Sequence, residues 1–480
     1  MPAPLQHKES SNDTLHDDAS SSNRFDGAIP SSMSIDSATE ETPKQQLRRK
    51  IFPILQCFFA VALMGLQDGN FGVILPRIRA SYGVSDGLVS ILFLLQAGGY
   101  FVMAFCNGLV VAKIGQKGAL YLGASLMLVS YILLLFGFPF PAMGCIMIIL
   151  GCGLALTNAG TNVYIITAPY RTIVLNLLHA SYGTGALIGP LMSSALLAKD
   201  LRWEVSYMIL AGVASLNLIG MIACFWHTKI DTHDDPAIES LALNPESTSR
   251  PESMIKQALR QRITQVGAFY LLFYVGTEVT FGSWSFTFLT EVRGGDPVHL
   301  AQVTSGYWAG LTFGRLFLGA VTAHFGENRM VALYLIITCM MIVVVWQVTA
   351  IAGDIFGLVV IGMALGPMFP TTISVASQVL PKHLHTTVIG FLAALGQGGA
   401  ALFPFITGEI ASTAGVIGMM PFTLALTVSM LISWIFMPNV GPPLWPFSKK
   451  RRGSDRGNSI VDTIVVDEEK TNSRKQSLEV

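Results

Sequence analysis

Of the 480 residues, 51% are apolar and 12% charged, with 30 basic and 30 acidic side chains and a net charge of zero. A soluble domain carries roughly a quarter charged residues, so this chain is not composed as one, and without a net positive field no nucleic-acid partner is expected. The charges are also displaced: positions 1–50, 227–262 and 439–480 hold 14, 11 and 14 of them, leaving 21 in the other 352 residues.

Those 352 residues fall into two blocks, 51–226 and 263–438, each 176 residues long. A bilayer core about 30 Å thick takes about 20 apolar residues per helix, so each block has room for six helices. In chain order the first block predicts helices at 51–76, 87–112, 118–138, 142–167, 174–198 and 204–226. The second predicts them at 263–289, 300–323, 330–350, 355–379, 387–412 and 417–437. The fold class is therefore an all-α membrane protein, with twelve transmembrane helices in two pseudo-symmetric six-helix bundles. A cytoplasmic middle loop, 227–262, joins the bundles, and disordered cytoplasmic tails, 1–50 and 439–480, flank them. The N-terminus is rich in Ser and Asp and has no basic segment leading into an apolar core, so it does not read as a cleaved signal peptide.

The basic residues orient the chain. One set of connections, with the middle loop and the tail residues Lys44–Lys50 and Lys449–Arg452 beside the spans, holds 18 Lys and Arg, while the opposite set holds Arg77, Arg79, Lys199, Arg202 and Arg293. The positive-inside rule then puts both termini in the cytoplasm. The two blocks also repeat one another. Asp68-Gly-Asn-Phe-Gly72 in helix 1 matches Glu278-Val-Thr-Phe-Gly282 in helix 7 at an offset of 210. Gly108-x-x-x-Ala112-x-x-Gly115 matches Gly319-x-x-x-Ala323-x-x-Gly326 at 211, and Gly183-x-Gly185 in helix 5 matches Gly396-x-Gly398 in helix 11 at 213. Three matches in one order at a nearly constant offset point to two parallel halves, the arrangement whose interface holds a solute in membrane carriers.

Twelve spans, a long middle loop and a glycine-bearing basic turn between helices 2 and 3 resemble the major facilitator superfamily over residues 51–438. The superfamily turn, G-x-x-x-D-x-x-G-[RK]-[RK], reads here from Gly108 to Lys117, with Ala112 in place of the acid. Three segments resemble the fucose permease-like (fucose:proton symporter) branch, including fungal members: G-L-Q-D-G-N-F-G-V-I-L-P in helix 1, L-N-L-L-H-A-S-Y-G-T-G-A-L-I-G-P in helix 5 and Y-V-G-T-E-V-T-F-G-S-W in helix 7. The resemblance implies a secondary carrier working by alternating access. In bacterial sugar permeases of the branch a helix 1 acid is paired with a helix 4 carboxylate, and the best match to the latter here is Asn158.

An ionisable group inside a membrane helix costs about 2.5–3.5 kcal/mol on insertion scales and normally faces a bundle interior or an aqueous cavity. Asp68 and Glu278 are the clearest cases and the candidates for proton coupling, with Glu278 preferred in place of the missing helix 4 acid. His179, an imidazole that titrates near neutrality, comes next. Arg315 in helix 8 is a candidate partner for one of the acids, or a solute contact. Asn158 and Asn162 share one face of helix 4, while Asn176, His179 and Tyr182 share one face of helix 5, and the two faces are candidates to line one cavity. Amides and imidazole suit hydroxyl- or amine-bearing solutes, but the same groups also serve as interhelical hydrogen bonds. Gln397 and Trp284 complete the candidate lining, against the plainer reading of Trp284 as packing. Gly185, Pro190, Pro367, Pro370, Gly398 and Pro404 are candidate hinge positions, since glycine allows close approach and proline permits bending.

No phosphate loop, H-E-x-x-H or G-x-S-x-G occurs, so ATP-driven transport by the chain alone and enzymatic function have no support. The six cysteines lie in apolar stretches without metal-ligand spacing, so neither a metal nor a cofactor is expected. The expected partners are a small organic solute, protons and the lipid bilayer, with the monomer as the working unit. The plasma membrane is the expected location and a vacuolar membrane the alternative. A sugar-like solute is favoured, with export of a metabolite or drug-like compound second and a non-transporting nutrient sensor third.

Overall fold

The computed structural model describes residues 43–228, 251–381 and 384–438. The expected tail segments 1–42 and 439–480, and residues 229–250 of the expected middle loop, lie outside the described residues. Among the described residues the regular structure is helical throughout.

The first half holds α1 (Pro43–Tyr82), a continuous helix Asp86–Leu134, α4 (Phe140–Ile166), α5 (Arg171–Leu197) and α6 (Glu204–Phe225). Gly115, at φ 74° and ψ 167°, breaks the Asp86–Leu134 helix into two spans, α2 before it and α3 after it. The second half holds α7 (Arg262–Phe288) and α8, which runs through Pro297–Phe313, a π turn Gly314–Leu318 and Gly319–Phe325. Next come α9 (Glu327–Gln347) and α10, which is interrupted at Gly366–Pro367 between Ile351–Leu365 and Met368–Val379. The chain ends with α11 (His385–Ala414) and α12 (Met419–Ile435). Two boundaries differ from those expected. α1 begins at Pro43 rather than 51, and a short helix, Pro251–Arg260, stands within residues expected as loop, with Ala258 buried.

Local chemistry accounts for several helix ends. The Ser85 side chain accepts from the Leu88 amide at the start of α2, and Asp296 caps α8 by accepting from Val298, with Pro297 in the first turn. The repeated glycine motif has a backbone cause: Gly115 and Gly326 both have positive φ, at 74° and 101°, where a side chain would be strained. Eight stretches are apolar and long enough to cross a membrane on composition alone, and the Asp86–Leu134 stretch contributes two spans. α5, α7 and α8 fall outside that set. They also carry His179 and Tyr182, Glu278, and Arg315, so polarity is concentrated in helices that the rest of the bundle shields.

Lipid provides no hydrophobic drive between helices, so close backbone packing has to supply cohesion. A Cβ at Gly65 or Gly69 of α1 would meet the α5 backbone, and one at Gly185 or Gly189 of α5 would meet α1. The second half repeats the device. Gly399 of α11 lies on the α7 backbone at Leu272, and Gly310 and Gly362 lock α8 to α10 as Gly99 and Gly151 lock α2 to α4. Between the halves, α1 meets α7 at Gly72 and Gly282, α2 meets α11 at Ser90 and Gly408, and α5 meets α8 at Gly183 and Thr312. The α2–α11 and α5–α8 contacts exchange under the same twofold relation that the sequence repeat implies.

Candidate functional site

Asp68 and Glu278 sit on α1 and α7, the helices that meet along the seam between the halves. Asp68 is half-buried and accepts a 2.7 Å hydrogen bond from the Tyr182 hydroxyl of α5. Glu278, 4% exposed, is held from three sides. Arg315 Nη2 stands 2.6 Å from its Oε1, the Tyr274 hydroxyl donates to its Oε2, and its backbone oxygen accepts 2.9 Å from Tyr307.

Arg315 lies inside the π turn Gly314–Leu318, an irregularity often found at functional positions. Its guanidinium, besides pairing with Glu278, also reaches the first half. Nη1 donates 3.4 Å to the His179 carbonyl of α5, and Cζ stands 5.7 Å from the centre of the Tyr182 ring. The Tyr182 ring also packs edge-on against Trp308 of α8 at 6.3 Å. One line of contacts therefore crosses the seam, from Asp68 through Tyr182 and Arg315 to Glu278. Arg315 is thus the partner of Glu278, one of the two roles open to it from the sequence.

The other polar candidates divide. Asn158 donates 2.8 Å to the Tyr100 hydroxyl of α2, and Asn162 donates back to the Asn158 carbonyl and to its side-chain oxygen, at 2.8 and 3.0 Å. His179 faces α10, its ring 6.3 Å from Phe369. The α4 asparagines thus bond toward α2 while the α5 residues point across the seam. Asn176 is exposed and Gln397 half-buried. Trp284 is fully buried, with its Nε1 donating 3.0 Å to the Pro404 carbonyl. This places it in the α7–α11 contact, in line with the plainer packing reading.

The hinge candidates have distinct settings. Gly185 is pressed against the Ala62 carbonyl, and Pro190 lies where Gly69 of α1 approaches α5. Pro367 stands at the break in α10, with Pro370 in the turn that follows. Gly398 has only side chains of Phe101 and Leu272 near its Cβ position, at 3.7 and 3.8 Å. The sequence singles out neither Tyr274 nor Tyr100, and it offers Tyr307 only as an aromatic for stacking or packing, not as a donor to Glu278. Tyr274 could have been singled out, since it lies four residues before Glu278 and so on the same helix face. Tyr100 and Tyr307 reach their partners from other helices and leave no local pattern.

Among the described residues no group of three or more His, Cys, Asp or Glu is arranged to hold a metal. Near the Tyr82 end of the seam, Arg79 pairs with Asp86 and also with Glu291 of the second half, both at 2.7 Å. Ser90 donates to the Phe405 carbonyl at 3.3 Å and Ser194 to the Val298 carbonyl at 3.0 Å, so both pseudo-equivalent contacts are closed there.

The sequence model of the Major Facilitator Superfamily matches residues 57–404. "Bypass of stop codon protein 6" of Saccharomyces cerevisiae is 28% identical over 413 residues, covering 80% of this chain and 82% of that protein. A "Glucose/galactose transporter" of Brucella abortus is 22% identical over 367 residues, covering 72% and 84%. A crystal structure of the E. coli fucose:proton symporter superposes with a TM-score of 0.56 at 16% identity, covering 82% of this chain and 99% of that one. The resemblance read from the sequence is thereby borne out, as is the twelve-helix, two-bundle fold, and the chain is a multi-pass membrane transporter and not an enzyme: it belongs to the Major Facilitator Superfamily.

Proposed function

We propose that this protein is a proton-coupled carrier of a sugar-like solute, working by alternating access, and that Asp68 binds the coupled proton. The observation that carries this reading is the Asp68–Tyr182 hydrogen bond beneath the Arg315 guanidinium. A phenol hydroxyl can donate to a carboxylate or accept from a carboxylic acid, so Asp68 keeps a partner in both protonation states. Because the Tyr182 ring carries Arg315, a change of charge at Asp68 is felt where the halves meet. Glu278 is the poorer carrier despite its appeal in the sequence. Neutralising it would strand a guanidinium only 13% exposed, whereas its ionised form is matched by Arg315 and the Tyr274 hydroxyl.

The lysine and arginine asymmetry supports cytoplasmic termini, which makes the Tyr82 end the outer one. The contacts that close that end support reading this state as the inward-facing one. The half-buried Asn158, Asn162, His179 and Gln397 give a solute neutral donors and acceptors, which suits hydroxyl-rich compounds. The relatives named as sugar transporters support the same class. The plasma membrane is the proposed location, with the monomer as the working unit.

The test is uptake of a labelled hexose panel into proteoliposomes under an imposed pH gradient. The unaltered protein is expected to accumulate a hexose, and Asp68→Asn to lose the gradient dependence. If no hexose accumulates, the solute class is wrong. If Asp68→Asn responds to the gradient like the unaltered protein, the proton assignment is wrong.

A further inference from the structure

Behind Asp68, inside the first half, lies a set of polar groups that the transport reading does not use. Gln67 of α1 is completely buried, and neither its amide nitrogen nor its amide oxygen has a hydrogen-bonding partner. The hydroxyls of Tyr131 on α3 and Tyr207 on α6 are likewise unpartnered, and both residues are 0% exposed. The three are neighbours. The tyrosine rings are 6.2 Å apart, the Gln67 amide lies within interaction reach of the Tyr207 hydroxyl, and both tyrosines are within electrostatic reach of Asp68. Leaving one buried polar group unsatisfied costs about 1–3 kcal/mol. Four such atoms on three neighbouring side chains call for water, which satisfies buried polar groups when two to four of them surround it.

The site has a continuation. Gln67, Asn70, Ile74 and Arg77 follow one another at three- and four-residue steps and so form one stripe of α1. From Gln67 to Arg77 the stripe spans about 15 Å at 1.5 Å per residue. Midway, Asn70 is fully buried; it donates 3.2 Å to Ser206 of α6 and accepts 2.7 Å from Ser193 of α5. The same two serines border a small, mostly apolar cleft with room for about one water molecule, with Ile74, Arg77 and Trp203 around it. The indole Nε1 of Trp203 is another buried donor without a partner. Arg77, at the end of the stripe, donates 2.7 Å to the Leu201 carbonyl in the connection between α5 and α6.

We propose that Gln67, Tyr131 and Tyr207 bind ordered water inside the first bundle, and that this water, continued by Asn70, Ser193 and Ser206, is the route by which Asp68 exchanges its proton with the outer face. The route runs through the core of one half and is separate from the seam that admits the solute. In the state described, Asn70 is occupied by both serines, which interrupts the route while the solute path opens to the other side. A continuous route in that state would let protons leak, so the interruption at Asn70 is what the coupling requires. No covalent step is involved: each transfer moves a proton along a hydrogen bond between water molecules or hydroxyls, which regain a proton as they pass one on, and the amides of Gln67 and Asn70 orient the water without relaying protons themselves.

This inference rests on Asp68 as the proton site, and the experiment separates the two. X-ray radiolytic footprinting oxidises side chains that touch bound water. On the full chain in lipid nanodiscs, Tyr131 and Tyr207 are expected to be labelled despite their burial, and Tyr270, equally buried but bonded to Met368, is expected to stay unlabelled. Gln67→Leu should abolish the labelling of Tyr207, and after mixing into heavy-oxygen water, Asn70→Leu should slow incorporation of the heavy isotope at that tyrosine. Unlabelled tyrosines in the unaltered protein, or isotope incorporation indifferent to Asn70→Leu, would overturn the route. Should Asn70→Leu fail to fold, Ser193→Val makes the same interruption. An infrared carboxyl band that appears in acid buffer and vanishes in Asp68→Asn verifies the proton site independently. If that band persists in Asp68→Asn, the proton reading has failed. If it depends on Asp68 but keeps its frequency in Gln67→Leu, the water relay alone has failed.

Discussion

Arg315→Met is the sharpest perturbation of the seam. It leaves Glu278, 4% exposed, with the Tyr274 hydroxyl as its remaining side-chain donor, so a carboxylate stays in a low-dielectric site without its counter-charge. Breaking one partner of a buried ion pair typically costs about 3–5 kcal/mol, whereas replacing both by apolar or neutral groups of similar size is often nearly neutral. The Arg315 side chain is 13% exposed, close to full burial, so little of that cost is lost to solvent screening. Arg315→Met is therefore expected to destabilise the protein by about 3–5 kcal/mol, while Glu278→Gln combined with Arg315→Met should recover more than half of the loss. The assay is a double-mutant cycle by denaturant titration in mixed micelles, with the two single changes and the pair. Additive single losses, or an Arg315→Met loss below about 1 kcal/mol, would mean that the pair is not the buried, mutually dependent unit described.

The outer end offers a weaker latch. Arg79 and Glu291 are 28% and 35% exposed, so removing their bond with Arg79→Gln should cost this state no more than about 0.2–1 kcal/mol. That corresponds to a population shift of about fivefold at most toward the outward-open form, readable as a second distance between spin labels on α1 and α7. Gly183 and Gly185 should separate seam from fold. A Cβ at Gly185 meets the Ala62 backbone within one half, whereas one at Gly183 meets the Thr312 side chain across the seam. Gly185→Val is expected to prevent folded expression, and Gly183→Val to leave a folded protein with the α5–α8 contact opened; equal loss of expression would contradict that division. Arg293 and Asp354, 5% and 0% exposed, form an ion pair within the second half, with Arg293 also reaching the Val348 carbonyl at 3.0 Å. Arg293→Gln should therefore lower stability by about 3–5 kcal/mol in the same titration while leaving the pH dependence of transport unchanged.

The features that could be read in the sequence are those with a local or compositional cost. Asp68 and Glu278 stand out because lipid penalises charge wherever it occurs in a span. The paired Gly115 and Gly326 stand out because each ends a span in a backbone conformation that favours glycine. The start of α1 was misplaced because Lys44, Arg48, Arg49 and Lys50 look like tail, yet the helix continues through them. The grouping of side chains into a site was harder to see. Asn158 and Asn162 share a face with the spacing of a cavity lining, but which helix that face meets depends on Tyr100, 58 residues away. Trp284 has the composition of a stacking residue, and its indole instead ties α7 to α11. The preference for Glu278 over Asp68 follows from the helix 4 acid that the resemblance leads one to expect and Asn158 replaces. The balance shifts only once Arg315, from the next helix, is seen to compensate one acid and Tyr182 is seen to attend the other. Gln67 shows the limit most plainly: it adjoins Asp68, yet its significance comes from Tyr131 and Tyr207, on helices remote in the chain.

The central claim is that Asp68 carries the proton and Glu278 holds the seam. It is tested most directly by comparing two modes of flux of one labelled hexose in the same proteoliposomes: accumulation driven by a pH gradient, and exchange at equal pH on both sides. Exchange returns the loaded carrier without releasing its proton, so Asp68→Asn is expected to retain exchange while losing gradient-driven accumulation. Glu278→Gln, which uncouples Arg315 from the seam, is expected to slow both. Gradient-driven accumulation that survives Asp68→Asn and disappears selectively in Glu278→Gln would contradict the account.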